Sequence, residues 1–399
     1  MNVAEGAGLL VIAVIVMILL LFSFKNDIYI SVQNFVILFL IFTFAIALMV
    51  YNLDPRESIR WDLLVHFETL EKMQKQGLDY VLHGSEYRYL LLVNAYFYLI
   101  ALIGNFRLLP VFPVIIDFLC ALYMIQDQLR IRYGKAAPIR DCALISGLWF
   151  MSFGFMLSVS GIRCVLAVAL GMLGLYMEYY KKEHRIFGIF LYSVAIMTHT
   201  LGIVIPLIRL LLRVRNKLLI MIVMVCGCVL FSPIASVGAK VIGLSYFRYL
   251  LLNVAKYWSS FGTIRWLLRV YNSDRTVFLC YLLICLFNLY MLWRIQKNLR
   301  ESALVTGEED EKYRVWNLTA TIAVLYVTGL FNALFTQRLT YILAYSFPLS
   351  VPLYLQSVDR NWKVTLFHLF MILIFFWLFF FNDLYIFIVN YTGVYFLDL

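Results

Sequence analysis

The stretch SGIRCVLAVALGMLGLYMEYYKKEHRIFGIFLYSVAIMTHT, residues 160–200, decides the fold. It contains an apolar run that begins with Arg163, a basic turn at Lys181–Arg185 and a second apolar run that ends at His199. The turn carries enough positive charge to be held on the cytoplasmic side of a membrane. At the usual helical rise, Arg163 lies roughly 27 Å and His199 roughly 20 Å above that turn. We therefore predict that both side chains reach a similar outer depth of an apolar core about 30 Å thick.

Ionisable side chains at membrane depth are rare, and they usually mark a functional site. Two other interpretations stay open at this stage. Arg163 could extend its guanidinium to the lipid phosphates, and His199 could be a hydrogen-bonded packing residue.

Composition places the whole chain in the membrane class. Of its 399 residues, 63% are hydrophobic and only 14% are charged, and the mean hydropathy is +0.87. The net charge of +10 is typical of cytoplasmic loops and anionic lipid rather than of nucleic-acid binding. We predict one transmembrane domain over residues 1–399, an all-α polytopic integral membrane protein of about a dozen hydrophobic helices, including short or re-entrant ones. The predicted runs are 7–23, 32–51, 89–104, 108–127, 141–160, 162–180, 186–212, 217–235, 276–294, 316–335, 339–355 and 364–382.

Basic loops predict a re-entrant hairpin after the deciding stretch. The loops 130–140, 181–185 and 209–217 are all rich in Lys and Arg, which places all three inside. Only one long apolar run, 186–212, separates the last two. A hairpin of two short helices with His199–Gly202 at its apex satisfies both ends, and a single tilted helix with 209–217 outside is the alternative.

Two polar segments are predicted outside. Segment 51–88 has more acidic than basic residues, and its external position requires that 89–104 or 108–127 does not cross fully. Segment 236–275 is basic and rich in aromatic residues, which is typical of an amphipathic helix at the interface. Its Arg265 and Arg269 are four residues apart and share a helix face, so phosphate or pyrophosphate is a natural ligand. Anchoring to lipid headgroups is the alternative. Arg338, like Arg163, begins an apolar run at the outer edge.

The ordered motifs resemble the EpsG-like branch of the Wzy-type polysaccharide polymerases, over roughly Tyr51 to Leu355. SGIRCVLAVAL, YYKK and MTHTLGIVIPLIRLL resemble the family's arginine-headed helix and the histidine-bearing helix that follows it. RWDLLVHFETL resembles its Arg-x-x-Asp-x-x-x-Tyr stretch, SEYRYLLLVNAYFYLIALIGNFRLLPVF its Glu-led helix, and QRLTYILAYSFPLSVPL its late arginine–tyrosine helix. These matches point to Arg60, Asp62, His66, Glu86, Arg338 and Tyr341. Arg60 is one place nearer to Asp62 than in the family, and His66 stands where a tyrosine is more usual.

The resemblance implies a GT-C-like glycosyltransferase at the outer face of a bacterial inner membrane, with its site open to the periplasm or exterior. Its donor would be a glycan on undecaprenyl diphosphate, and its acceptor a lipid-linked repeat unit. A chain-length regulator and a flippase are the implied partners, and no cofactor is implied.

The residue types suit this chemistry. Arginines can stabilise a diphosphate leaving group without a metal, and Arg163, Arg338, Arg265 and Arg269 are the candidates. The acceptor hydroxyl needs a general base, for which His199 and the carboxylates of Asp62 and Glu86 remain open. Tyr341, Arg60 and His66 are the predicted substrate contacts. One-step displacement predicts inversion at the anomeric carbon.

Three other functions compete with this interpretation. Another GT-C-like transferase or a ligase would use the same arginines with a different donor or acceptor. A flippase for lipid-linked oligosaccharides would show internal repeats and charges along a central path, and we find no obvious repeat. A structural partner subunit would not need ionisable residues at membrane depth.

Overall fold

The computed structural model describes residues 28–52, 62–153, 159, 161–241, 248, 251–252, 275–302, 309–329, 333–358 and 362–379. Most of these residues are helical, and two short strands form one small sheet. The helices are α1 (Val32–Tyr51), α2 (Asp62–Asp79), α3 (Leu91–Ile103), α4 (Leu108–Tyr133), α5 (Ile139–Phe153), α6 (Ile162–Leu175), α7 (Arg185–Thr198), α8 (Val204–Leu211), α9 (Lys217–Val241), α10 (Arg275–Ser302), α11 (Glu309–Gly329), α12 (Ala333–Ala344), α13 (Phe347–Gln356) and α14 (Trp362–Phe379).

The long helices form a bundle with two distinct ends. Strand β1 (Tyr29–Ser31), just before α1, pairs antiparallel with β2 (Ala136–Pro138), just after α4. At the opposite end, the Asn105 side chain donates to the Tyr51 hydroxyl at 3.1 Å. Helices α1 and α4 are therefore antiparallel. We call the end with β1 and β2 the Lys181 end and the other the Arg163 end, after the residues that α6 and its continuation place there.

The segment between α1 and α4 starts and finishes at the Arg163 end. Helix α2 changes direction at Gly77, whose φ of 67° favours glycine, and a π-helical turn at Tyr80–Gly84 leads towards α3. Helix α3 has 13 residues and is only about 20 Å long, short of the roughly 30 Å of an apolar bilayer core. Because Tyr51 and Asn105 meet, α3 does not run from one end of the bundle to the other, whereas α4 does.

Apolar helices long enough to cross a membrane occur among the described residues. Three qualify by length and composition: Val32–Tyr51, Leu108–Tyr133 and Ile162–Lys181. Shorter apolar helices cover Leu91–Ile103, Arg185–Thr198 and Thr200–Leu211. The prediction of a helical protein is confirmed, and its apolar helices are compatible with a membrane.

The run 186–212 is a hairpin of two short helices. Helix α7 ends at Thr198, a 3₁₀ turn covers Thr200–Ile203, and α8 leads back towards the Lys181 end. A Cβ on Gly202 would lie 2.3 Å from the Ala195 carbonyl oxygen, so only glycine fits this turn. The predicted apex at His199–Gly202 is confirmed, and the single tilted helix is excluded.

One carboxylate ties both legs of this hairpin to α6. Glu178 lies in the π-helical continuation of α6, Tyr176–Lys181. It accepts two hydrogen bonds from the Arg209 guanidinium of α8, at 2.5 and 3.0 Å, and one from the Tyr192 hydroxyl of α7 at 3.4 Å. The Arg209 guanidinium also lies 5.2 Å from the Tyr179 ring centroid. The pair holds the hairpin where its legs meet the Lys181 end.

We expect Glu178→Gln to lower stability by about 2 kcal/mol, because it leaves the partly buried Arg209 guanidinium without its charged acceptor. Glu183→Gln makes the same chemical change on an exposed residue of the adjacent turn and is the matched control. The measurement is the thermal unfolding midpoint of the detergent-solubilised protein. Equal midpoints for the two variants would contradict this role of Glu178.

A broken helix completes the bundle. Helix α12 ends at Ala344 and α13 begins at Phe347, so the predicted run 339–355 is interrupted near its start. At the break, the Tyr345 hydroxyl donates to the carboxylate and the main-chain carbonyl of the fully buried Asp117. At the Lys181 end, the side-chain oxygen of Gln356 accepts a hydrogen bond from the Arg132 guanidinium at 3.1 Å. Helices α12 and α13 thus follow one path from one end of the bundle to the other.

Several predicted features lie outside the described residues. These are the first run, 7–23, and most of the basic segment 236–275. The runs 186–212 and 339–355 each correspond to two helices, and α12 begins at Ala333, before the predicted start. The remaining predicted runs each correspond to one described helix, with different ends chiefly where polar ends extend α4, α10 and α11.

Candidate functional site

Arg163 lies in the first turn of α6, at the Arg163 end of the bundle. A cation is unfavourable at the N-terminus of a helix, whose partial charge is positive, so Arg163 does not stabilise the helix there. The N-cap residue Gly161 supplies no side-chain acceptor for the first amides of the helix. An arginine beside uncapped amides forms an electropositive position that suits an anion.

The guanidinium of Arg163 is positioned by an aromatic ring. Its Cζ lies 4.1 Å from the centroid of the Tyr87 ring, in a cation–π arrangement. Arg163 makes no ion pair with any carboxylate in the described part of the chain. Its hydrogen-bond donors are therefore available for a ligand.

Tyr87 packs against a buried aromatic cluster. Its hydroxyl is 3.0 Å from His66 Nδ1, and the rings of His66, Tyr87 and Phe97 meet edge to face at centroid distances of 5.2 to 5.8 Å. His66 is only 2% exposed. In this structure His66 supports Tyr87, and direct contact of His66 with a substrate stays a prediction.

The turn that carries Glu86 and Tyr87 is fixed by two polar side chains. Ser85 Oγ donates to Asn94 Oδ1 at 2.8 Å and accepts from the Tyr87 amide at 3.1 Å. Asn94 Nδ2 in turn donates to the Val81 carbonyl at 2.7 Å. These bonds connect α3 to the turn before it, so Tyr87 is presented to α6 by a rigid segment.

His199 comes to the same end from the hairpin. It is nine-tenths buried, and its Nδ1 accepts from the Leu201 amide at 3.1 Å. The charges of Arg163 and Arg338 both act on its imidazole, and both also act on the buried thiol of Cys164. Arg163 and Arg338, from separate parts of the chain, therefore both lie within electrostatic range of His199.

The remaining predicted site residues are distributed as follows. Asp62 begins α2 and Glu86 precedes Tyr87, and both are exposed. Tyr341 is buried on α12, one turn after Arg338. Their predicted roles stay predictions. Arg60, Arg265 and Arg269 lie outside the described residues.

Tyr87, Ser85 and Asn94 are not among the residues predicted from the sequence. Tyr87 stands beside Glu86, whose carboxylate was the only predicted functional group of that motif. Ser85 and Asn94 are nine residues apart, and two polar residues flanking an apolar helix start could have indicated a fixed turn. The contact of Tyr87 with Arg163 spans 76 residues of sequence and has no local signal.

Comparison with protein-family models, with curated proteins and with solved structures found no match for this chain.

Proposed function

We propose that this chain is a multi-pass glycosyltransferase of GT-C-like architecture with about a dozen hydrophobic helices, in the inner membrane of a bacterium. It would transfer a growing glycan from undecaprenyl diphosphate to a lipid-linked repeat unit at the outer face. The observation that carries the proposal is that two arginines lie within electrostatic range of a nearly buried histidine at one end of an apolar bundle. The resemblance of the ordered motifs to the Wzy-type polymerases supplies the substrate class.

The charge of the cluster supports a diphosphate ligand. Guanidinium groups match phosphate oxygens with paired hydrogen bonds, and Arg163 is oriented by Tyr87 rather than neutralised by a described carboxylate. In a site with little water, such preorganised cations stabilise the negative charge that develops on a leaving group.

In the proposed reaction the acceptor hydroxyl oxygen attacks the anomeric carbon of the donor glycan. The bond from that carbon to the diphosphate oxygen breaks, and its electron pair remains on the diphosphate. The hydroxyl proton passes to a general base, for which the sequence offers Asp62, Glu86 and His199. A single displacement of this kind inverts the anomeric configuration.

The basic turns support the proposed orientation in the membrane. Lys181, Lys182 and Arg185 lie at the end opposite Arg163, so the positive-inside tendency would put the cluster at the outer side. The proposed site would then be open to lipid-linked substrates after their transfer across the membrane.

The function is tested with the purified protein in liposomes and a synthetic repeat unit on undecaprenyl diphosphate. We expect a ladder of lengthened lipid-linked glycans, unchanged by a metal chelator. A ligase would instead transfer one repeat to another acceptor, and a flippase would move the repeat across the bilayer without lengthening it. Either result would contradict the proposal.

A further inference from the structure

The geometry of the hairpin apex defines what the His199 side chain can do. The backbone of His199 is extended, with φ of −155° and ψ of 148°, which ends α7 and starts the 3₁₀ turn. Its Nδ1 accepts a hydrogen bond from the Leu201 amide, so His199 caps that turn. This cap requires a lone pair on Nδ1.

That requirement selects one form of the imidazole. A neutral imidazole has one N–H, and when Nδ1 is an acceptor the hydrogen must be on Nε2. An imidazolium would have a second N–H directed at the Leu201 N–H and would break the cap. Within the described part of the chain, Nε2 has no hydrogen-bond partner. The apex therefore holds a nearly buried N–H donor within electrostatic range of two guanidiniums.

We propose that His199 donates a hydrogen bond through Nε2–H to an anionic oxygen of the lipid diphosphate and is not the general base. This inference rests on the proposed function, because the diphosphate is the substrate proposed there. Arg163 and Arg338 have no acceptor atoms in their guanidiniums, so the three side chains together provide only donors. Such a set suits an oxygen that gains negative charge, and it cannot take the proton of a hydroxyl. The base is then a carboxylate, with Asp62 and Glu86 as the candidates already named.

Two amide substitutions separate the possible roles. The side-chain N–H of His199→Gln reaches about as far as Nε2–H, whereas the side-chain oxygen of His199→Asn replaces Nδ1 as the cap. A donor role predicts that His199→Gln retains polymerisation within about 10-fold of the wild-type rate, while His199→Asn loses about 100-fold or more. The rates are measured in the liposome assay at equal amounts of folded protein.

Other results of that assay overturn the inference. Equal large losses of activity in both variants would indicate that His199 is the base. Higher activity of His199→Asn than of His199→Gln would indicate that His199 acts only as the cap of the turn. Equal, nearly wild-type rates would remove the side chain from the reaction. In the pH profile, a donor role predicts the same acid-side midpoint for wild type and His199→Gln, whereas a base role predicts a midpoint that disappears in the variant.

A second measurement does not depend on activity. Nitrogen-15 NMR of histidine-labelled protein, with the His199 signal assigned by its loss in His199→Gln, reports which ring nitrogen carries the proton. We expect a protonated Nε2 and an unprotonated Nδ1, and the opposite tautomer would overturn the inference. If wild type forms no polymer, the proposed function fails, and the NMR result still decides the tautomer.

Discussion

We expect Arg163→Ala to reduce the proposed polymer formation by about 100- to 1,000-fold, the usual effect of removing one preorganised donor from the position where charge develops. Arg163 has no described carboxylate partner, so its main contribution is to the ligand rather than to the fold. Cells that depend on this variant should accumulate single lipid-linked repeats. The measurement is the size profile of extracted lipid-linked glycans at equal protein levels.

Control variants make this result specific. Arg185→Ala removes the same charge from an exposed position at the other end of the hairpin and should leave the profile unchanged. If Arg163→Ala makes glycans of wild-type length at the wild-type protein level, Arg163 takes no part in the reaction.

The ring beneath the guanidinium provides a graded test. Tyr87→Phe keeps the ring but loses the contact with His66, whereas Tyr87→Leu removes the cation–π contact. A partly desolvated contact of this type is worth about 0.5–2 kcal/mol, so Tyr87→Leu should form polymer roughly 2- to 30-fold more slowly than wild type. The rate of Tyr87→Phe should be nearer to the wild-type rate.

Gly202→Ala is expected to cause the largest loss of stability, about 3 kcal/mol or more, because the added carbon has no space. It would lie 2.3 and 2.4 Å from the Ala195 carbonyl oxygen and carbon and 2.7 Å from the Ile196 amide nitrogen. All three are backbone atoms of α7, so the clash can be relieved only by opening the hairpin. The measurement is the yield of monodisperse protein in detergent and its unfolding midpoint.

Gly147→Ala in α5 is the matched control. Its added carbon would meet only the Met151 side chain, at an ordinary 3.5 Å. This variant should be as stable as wild type or slightly more stable, since alanine favours helix. An unchanged midpoint for Gly202→Ala would contradict the close packing of the apex.

The hairpin and the position of Arg163 at a helix start were predictable because their signals are local. Basic residues at both ends of 186–212 predicted that the chain returns to the side from which it started, and this prediction needs no knowledge of tertiary contacts. Arg163 lies in the first turn of its helix, as the start of its apolar run predicted, whereas Arg338 was also predicted to begin a run and instead lies in the middle of α12, which begins at Ala333.

The environment of these residues was less predictable because it depends on tertiary contacts. Tyr87 belongs to a segment that stays at one end of the bundle, and the sequence did not determine which neighbouring run was partial. The break between α12 and α13 did have a signal, since Ser346 and Pro348 are typical of a helix start. The apolar residues on both sides concealed it within one run.

The small β1–β2 sheet has a consequence for the register of α1. Its hydrogen bonds, together with that from the Val32 amide to the Lys135 carbonyl, fix where α1 begins relative to α4. A slip of one residue would rotate α1 by about 100° and turn Phe39 and Phe42 away from α4 and α5. Phe39, 6.2 Å from Phe118 and 6.0 Å from Trp149, would then face lipid or solvent. Six strand residues therefore determine which face of a 20-residue helix is inside.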